Sequence, residues 1–156
     1  MINKPLLINK PLFLTALTLI LGSLPSSGVF AQTNNSIIGV WKTFDDETLQ
    51  PAAIVQITEN NGLFVGMITK LLDPAALPTC EKCADSRKGK PVVGMEILTG
   101  LKKEGEVYRG GQILDPDDGE IYKAEIKLLD QGNKLDLRAY IGIPLIGRTQ
   151  TWARER

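Results

Sequence analysis

The chain has 156 residues, 43% of them hydrophobic and 23% charged, with 18 basic and 18 acidic side chains and no histidine. A near-neutral chain without a block of Lys or Arg gives no electrostatic reason to expect a nucleic-acid partner or an anionic membrane. The absence of histidine excludes Ser-His-Asp and Cys-His catalytic sites and histidine-based zinc sites, whereas carboxylate and lysine chemistry stay open.

Residues 1–31 differ in kind from the rest of the chain. They contain Lys4 and Lys10, no acidic residue and an apolar run over 12–24, followed by small residues that end at Ala31. This pattern predicts a cleaved secretory signal peptide, because the run is shorter than the roughly 20 residues that span a bilayer. We expect an exported protein, periplasmic or extracellular, with no stable membrane insertion after cleavage. Removing the two lysines would leave 16 basic and 18 acidic residues, a formal charge of −2.

The residues after this leader are expected to form a short flexible lead-in over 32–36 and a single domain over 37–156. Within that domain, segments with alternating or branched apolar residues predict eight strands, over 37–44, 52–59, 63–71, 92–101, 107–114, 121–129, 134–140 and 148–154. Turn residues such as Asn60-Asn61-Gly62 separate most of them at hairpin spacing. The exception is a loop over 72–90, which holds two prolines and both cysteines.

Strands joined in this way predict an all-β fold, an eight-stranded antiparallel up-and-down barrel. Pairing the first strand with the last would remove both exposed sheet edges. A barrel of this size is filled by side chains or holds one small ligand. A two-sheet β-sandwich is the alternative architecture.

Several short motifs coincide with those of an exported bacterial family. They are Gly39-Val40-Trp41-Lys42-Thr43-Phe44-Asp45-Asp46, Cys80-Glu81-Lys82-Cys83, Lys90-Pro91-Val92-Val93-Gly94-Met95-Glu96-Ile97, Gly111-Gln112-Ile113-Leu114-Asp115-Pro116, and Tyr140-Ile141-Gly142 with Gly147-Arg148-Thr149-Gln150-Thr151-Trp152. Over residues 37–154 the chain resembles the domain of unknown function family 2147. The resemblance implies a lipocalin-like barrel and brings no established activity or catalytic residues with it.

The opening Gly39-x-Trp41 also resembles the first-strand signature of lipocalins. In that family the tryptophan packs at the closed end of the barrel beneath an arginine from the last strand. Arg148 and Arg154 are the two candidates for this arginine here. A guanidinium over an indole face is worth about 0.5–2 kcal/mol, depending on how far the pair is desolvated.

Cys80 and Cys83 are the most chemically suggestive pair in the chain. Because an exported protein meets an oxidising compartment, we expect them to form a structural disulfide. Two other interpretations stay open. A redox-active pair needs a setting that lowers a thiol pKa, which a proline-rich loop does not supply, and two cysteines without histidine make half a zinc site at most.

The period of two along each strand groups aromatic and arginine side chains into a candidate ligand-binding lining. Its members are Trp41, Tyr122, Arg138, Tyr140, Arg148, Gln150 and Trp152. The sequence does not fix which face of each strand points inward. If this face does, the lining suits a ligand with an acidic head and an apolar body. Otherwise these groups form a filled core and its rim, with arginines paired to carboxylates such as Asp136.

Asp115, Asp117, Asp118 and Glu120 place four possible oxygen ligands in one segment. The segment lacks the length and ligand spacing of an EF-hand calcium loop. Aspartate, proline and glycine are also the residues that turns prefer. We therefore expect a solvated turn and no metal site.

Two functional hypotheses of different kinds follow. The first is an exported soluble binding module for a small amphipathic or apolar ligand, without catalytic activity or cofactor. The alternative is an envelope interaction or structural protein with a filled barrel, whose disulfide-stapled loop meets a protein partner that the sequence does not identify. An enzyme using thiol–disulfide or carboxylate chemistry is disfavoured, because no histidine is present to act as a base.

Overall fold

The computed structural model describes residues 34–156, which fold into a closed antiparallel barrel. The strands are β1 (Gly39–Phe44), β2 (Pro51–Asn60), β3 (Leu63–Leu71), β4 (Glu96–Glu104), β5 (Val107–Leu114), β6 (Ile121–Leu129), β7 (Lys134–Tyr140) and β8 (Gly147–Arg154). Each strand pairs with the next, and β1 also pairs with β8. This closure confirms the predicted all-β barrel and excludes the sandwich. The expected leader over 1–31 lies outside the described residues.

Alternation along the strands separates a buried inner face from an outer one, because successive Cβ atoms point to opposite sides. On β7, Leu135, Leu137 and Ala139 are buried, which places Arg138 and Tyr140 on the outside. On β6, the buried Ala124 and Ile126 share the inward face with Tyr122 and Leu128, which pack against the core. The interior is therefore apolar along most of its length, as a water-excluding core requires.

The turns fall into two sets because alternate connections of an up-and-down barrel share one end. The closed end holds the β2–β3, β4–β5 and β6–β7 turns together with residues 34–38. At the β2–β3 turn, Asn61 and Gly62 take positive φ angles of 53° and 78°, within the hairpin turn that the sequence predicted at Asn60-Asn61-Gly62. The open end holds the other four connections, including the long one between β3 and β4.

The structure corrects the predicted start of the fourth strand. The pattern indicated a strand from Val92, but β4 begins at Glu96, so the preceding loop spans 72–95. Gly94 takes a positive φ of 87°, which interrupts an extended strand. Val92 donates its backbone N–H to Pro78 O within the loop at 2.9 Å, and its apolar side chain is buried without belonging to the sheet.

Two short 3-10 helices complete the fold, Asp130–Gly132 before β7 and Pro144–Ile146 before β8. The first strand also begins later than expected, at Gly39, while Ile37 is buried as part of the closed end. Within residues 34–156, no helix has the length and apolar character needed to cross a membrane.

Candidate functional site

Arg154 and Trp41 close one end of the barrel. The Arg154 guanidinium carbon lies 4.2 Å from the centroid of the Trp41 ring. The same guanidinium donates to three backbone carbonyls, Gly132 O at 2.6 Å, Ser36 O at 2.7 Å and Ile38 O at 2.9 Å. Of the two arginines proposed for this role, Arg154 therefore occupies it. The arrangement ties the lead-in, the β6–β7 turn and the last strand together.

The glycine of the Gly39-x-Trp41 motif is explained by this contact. Gly39 has a positive φ of 142°, and a Cβ built there would lie 2.5 Å from Arg154 Nη1. A larger residue at position 39 would displace the guanidinium. Trp41 is fully buried and donates its indole N–H to Ile37 O at 2.8 Å. The motif thus builds a plug, and Trp41 lies below the cavity and does not line it.

The opposite end opens into a cavity of about 650 Å³. Its inner wall consists of small and branched apolar side chains with one indole, among them Ala53, Val55, Ile68, Ile113, Ala139 and Trp152. Trp152 is buried and donates its indole N–H to Gln150 Oε1 at 3.2 Å, so the indole N–H is satisfied within the wall. The apolar part of the wall can therefore accept an apolar body while the indole N–H keeps its partner.

The mouth of this cavity is acidic. Seven of its lining residues carry carboxylates and two carry cations, Lys82 and Arg148. The carboxylates come from three loops of the open end: Asp45, Asp46 and Glu47 before β2, Asp73 after β3, and Asp115, Asp117 and Asp118 before β6. Charges of one sign at the mouth of a low-dielectric cleft raise the local concentration of ligands of the opposite sign.

Arg148 is already engaged by two of these carboxylates. Its Nη2 donates to Asp115 Oδ2 at 2.6 Å, and its Nη1 lies 3.3 Å from Asp46 Oδ2. Burial disfavours the charged form, but the hydrogen bond and attraction of Asp115 outweigh it and raise the pKa of Arg148. The guanidinium also lies 5.8 Å from the Tyr122 ring centroid. Arg148 therefore links two loops and the wall, and its charge is balanced locally.

Asp117 is a carboxylate of the mouth that neighbouring negative charges destabilise. Although the residue is exposed overall, partial burial in the mouth raises its pKa, and repulsion from Asp115 and Asp118 adds to the effect. Within residues 34–156, no donor lies within hydrogen-bonding distance of its side chain. By contrast, Asp118 accepts the Tyr122 hydroxyl at 2.8 Å. That bond is the main reason that the pKa of Tyr122 is raised.

Cys80 and Cys83 form a disulfide with a Cα–Cα separation of 5.5 Å, as the sequence predicted. Both residues are buried, and Cys80 Sγ lies 3.5 Å from Pro116 O of the β5–β6 loop. Gly119 of the same loop approaches Lys82 so closely that a Cβ would collide with its carbonyl. The disulfide therefore holds the long β3–β4 loop against the β5–β6 loop, beside the cavity mouth.

The structure brings together four of the seven residues in the predicted lining. Tyr122, Arg148, Gln150 and Trp152 border the cavity, and Trp41 lies beneath it. Tyr140 faces outward, with its hydroxyl 3.4 Å from Glu125 Oε1.

Arg138 also faces outward, where it donates to Pro144 O at 2.9 Å, Leu145 O at 3.1 Å and Thr149 Oγ1 at 2.9 Å. Its contacts fix the shape of the β7–β8 loop, whose Leu145 side chain is 84% exposed. Asp136, considered as a partner for an arginine, instead accepts the Thr151 hydroxyl at 2.6 Å.

Sequence reasoning missed the acidic mouth, because the acidic segment at Asp115–Glu120 was considered apart from the acidic residues of the other loops. The signal was present in the order of the turns. In an up-and-down barrel the first, third and fifth connections share one end, and these three carry the seven carboxylates. Within residues 34–156, no set of three carboxylates or thiols is placed to hold a metal ion.

The fold identifies the class of protein as an eight-stranded lipocalin-like barrel. A similar solved structure is that of HP1028 from the human pathogen Helicobacter pylori, described as a protein that belongs to the lipocalin family. The similarity covers 78% of this chain and 84% of that chain with a TM-score of 0.68. Because sequence identity is 21%, the likeness establishes the fold alone.

The family follows from the sequence match. The model of the family described as "Uncharacterized protein conserved in bacteria (DUF2147)" matches residues 39–154, from the first strand to the last. The chain belongs to this family, which confirms the resemblance drawn from its motifs. No curated protein sequence matches the chain.

Proposed function

We propose that this chain is an exported binding protein that holds one small amphipathic or apolar ligand in the open end of its barrel. The observation that carries the proposal is the cavity of about 650 Å³ with its apolar inner wall. Cavities of about 300–1,000 Å³ are typical of sites that enclose small organic molecules. Export rests on the leader pattern over 1–31 and is in keeping with the disulfide.

The decrease in side-chain size from the closed end to the mouth favours binding over a filled core. At the closed end, Trp41 and the edge-to-face pair of Phe64 and Tyr108, with centroids 4.8 Å apart, fill the barrel. Towards the mouth, small residues such as Ala53 and Ala139 face the interior instead. A ligand would rest on the plugged end with its apolar part against the wall and its polar part at the loops. The filled-barrel alternative accounts less well for this gradient.

Native mass spectrometry of the protein purified from the exported fraction without detergent tests the proposal directly. We expect a mass above that of the denatured chain, with the added species identifiable by fragmentation. The denatured mass also reports whether residues 1–31 have been removed. A bare native mass together with failure to bind a neutral fluorescent naphthylamine would contradict the proposal.

A matched pair of variants locates any binding. Ala139→Phe places a ring in the cavity, and Ala153→Phe adds the same ring on the outer face, where Ala153 lies opposite Lys42 and Lys134. Dye binding should be lost in the first variant and kept in the second, with both retaining the β-sheet circular dichroism of the parent. Loss in both, or in neither, would place the dye outside the cavity.

A further inference from the structure

The charge at the mouth distinguishes between ligand classes that the apolar wall alone would accept equally. The seven carboxylates outnumber the two cations among the described residues that line the cavity, and they lie on the loops of its open end. An anionic head would need a free cation there. Of the two cations, Arg148 is already engaged by Asp115 and Asp46 at 2.6 and 3.3 Å, and Lys82 is attracted to Asp117.

An anion would also have to approach Asp117. That side chain is crowded by Asp115 and Asp118, with Asp45 adding repulsion and Lys82 the single opposing charge. A carboxylate in this position is relieved by a cation and destabilised further by another anion. The geometry thus reverses the expectation of an acidic head, which depended on Arg138 and Arg148 both facing the ligand.

We infer that the ligand of this cavity is a cationic amphiphile, with an ammonium-type head among the carboxylates of the mouth and an apolar body against the inner wall. The inference rests on the proposed binding function and specifies the chemistry of its ligand. The head would lie nearest Asp117, whose side chain accepts no hydrogen bond from residues 34–156 and is crowded by Asp115 and Asp118. The body would lie along Ile113, Ala139 and Trp152.

Three probes with the same ten-carbon chain test the inference: decylammonium, decanol and decanoate. Each is titrated against the full exported protein loaded with the neutral naphthylamine dye, at low ionic strength and neutral pH. Decylammonium should displace the dye at a concentration at least about tenfold lower than decanoate, with decanol between them. The preference should shrink as salt is added, because mobile ions screen exposed charges.

Variants assign the preference to the mouth. Asp117→Asn should reduce the ratio of decylammonium to decanol affinity by about fivefold, since it removes one charge near the head. Glu106→Gln is the matched control, because Glu106 is an exposed carboxylate in the β4–β5 turn at the closed end. It should leave the ratio unchanged. If Asp117→Asn does not fold, lowering the pH of the parent protein still tests whether carboxylates select the head, because their protonation should weaken decylammonium more than decanol.

The outcomes separate this inference from the function on which it rests. Equal or tighter binding of decanoate, with decanol still displacing the dye, would overturn the cationic head and leave the binding function in place. Failure of the dye and of all three probes to bind would overturn both. An equal loss of preference in Asp117→Asn and Glu106→Gln would show that net charge, and not the mouth, selects the ligand, and would also overturn the inference.

Discussion

Arg154 stabilises the closed end through contacts that no other residue type can make at once. Its planar guanidinium donates to three carbonyl groups and lies over an indole face. Burial lowers the pKa of Arg154, and within residues 34–156 no carboxylate lies in hydrogen-bonding range to offset this effect. Arg154→Ala would leave these partly buried carbonyls without donors. We expect the free energy of unfolding to fall by about 3 kcal/mol, measured by urea denaturation.

Two further variants serve as comparisons for the loss of stability in Arg154→Ala. Arg154→Lys keeps the charge but loses the fork geometry, so it should recover only part of the loss. Arg109→Ala removes an exposed ion pair with Glu104, 3.6 Å apart, and should cost less than about 1 kcal/mol. If Arg154→Ala were no more destabilising than Arg109→Ala, the plug would not hold the barrel closed.

Asp117 should affect stability in the opposite direction. Its pKa in the folded protein is raised above the ordinary value of 3.8, so ionisation opposes folding at every pH above that raised pKa. Asp117→Asn should therefore raise the melting temperature at neutral pH. The gain should shrink as the pH falls through the folded pKa and vanish below 3.8, where the parent carboxyl is protonated in both states.

Asp85 supplies a control of opposite sign. Hydrogen bonds from Arg87 lower the pKa of Asp85 to about 2, so its ionised form favours folding above the ordinary value of 3.8. Asp85→Asn should lower the melting temperature at neutral pH, and the deficit should disappear as the pH approaches about 2. A pH profile of the same shape for both variants would contradict the assignment of Asp117.

At the scale of elements, the disulfide stabilises the conformation of the loop over 72–95. The bond closes a small ring, and removing it should cost about 2 kcal/mol by the chain-entropy estimate. Because both cysteines are buried against the β5–β6 loop, we expect Cys80→Ala/Cys83→Ala to loosen the loop while the barrel stays folded. The expected result is a lower melting temperature with an unchanged β-sheet spectrum.

Limited proteolysis locates the change. Lys82, Arg87 and Lys88 offer trypsin sites within the loop, whereas Lys102 and Lys103 lie in β4. Reduction of the parent protein, or loss of both cysteines, should accelerate cleavage in the loop and leave β4 intact. Cleavage in β4 at the same rate would mean that the disulfide supports the whole barrel.

Most strand bounds were predictable and the end of the long loop was not, for a physical reason. Alternation and turn residues reflect local geometry, and they placed β3, β5, β6 and β7 at the bounds that the structure shows. Val92 looked like a strand residue because it is branched and apolar, yet its side chain is buried by packing within the loop. The direction of Arg138 and Tyr140 depends on which face of β7 meets the core, and the apolar Leu135 and Leu137 on the other face decide it.

The site was predictable in part for a similar reason. Pairing of Trp41 with an arginine of the last strand follows from a motif and a topology, although the choice of Arg154 over Arg148 needed the register of β8 against β1. The acidic mouth depends on three loops that meet only after the barrel closes. A short stretch of sequence identifies these aspartates only as turn residues. The closed topology is needed to show that they contribute to one negative electrostatic potential at the mouth.

At the scale of the whole molecule, closure of the barrel depends on its least extensive seam. β1 and β8 pair through Trp41 opposite Arg154 and Lys42 opposite Ala153, whereas β7 pairs with each of its neighbours over seven residues. Few ladder hydrogen bonds mean a low free energy of local opening. Glu155 extends the seam with an N–H bond to Val40 O at 2.8 Å and a salt bridge to Lys42 at 2.8 Å.

Native-state hydrogen exchange should therefore show opening that begins between β1 and β8. The β1 amides that point towards β8, and the amide of Glu155, should exchange fastest among the sheet amides, and those of β7 slowest. Arg154→Ala should accelerate exchange at the seam more than in the β4–β5 hairpin, because the Arg154 guanidinium links β8 to the carbonyls of Ser36 and Ile38. Uniform protection around the barrel, or acceleration shared equally by β4 and β5, would instead mean that the sheet opens only as one cooperative unit.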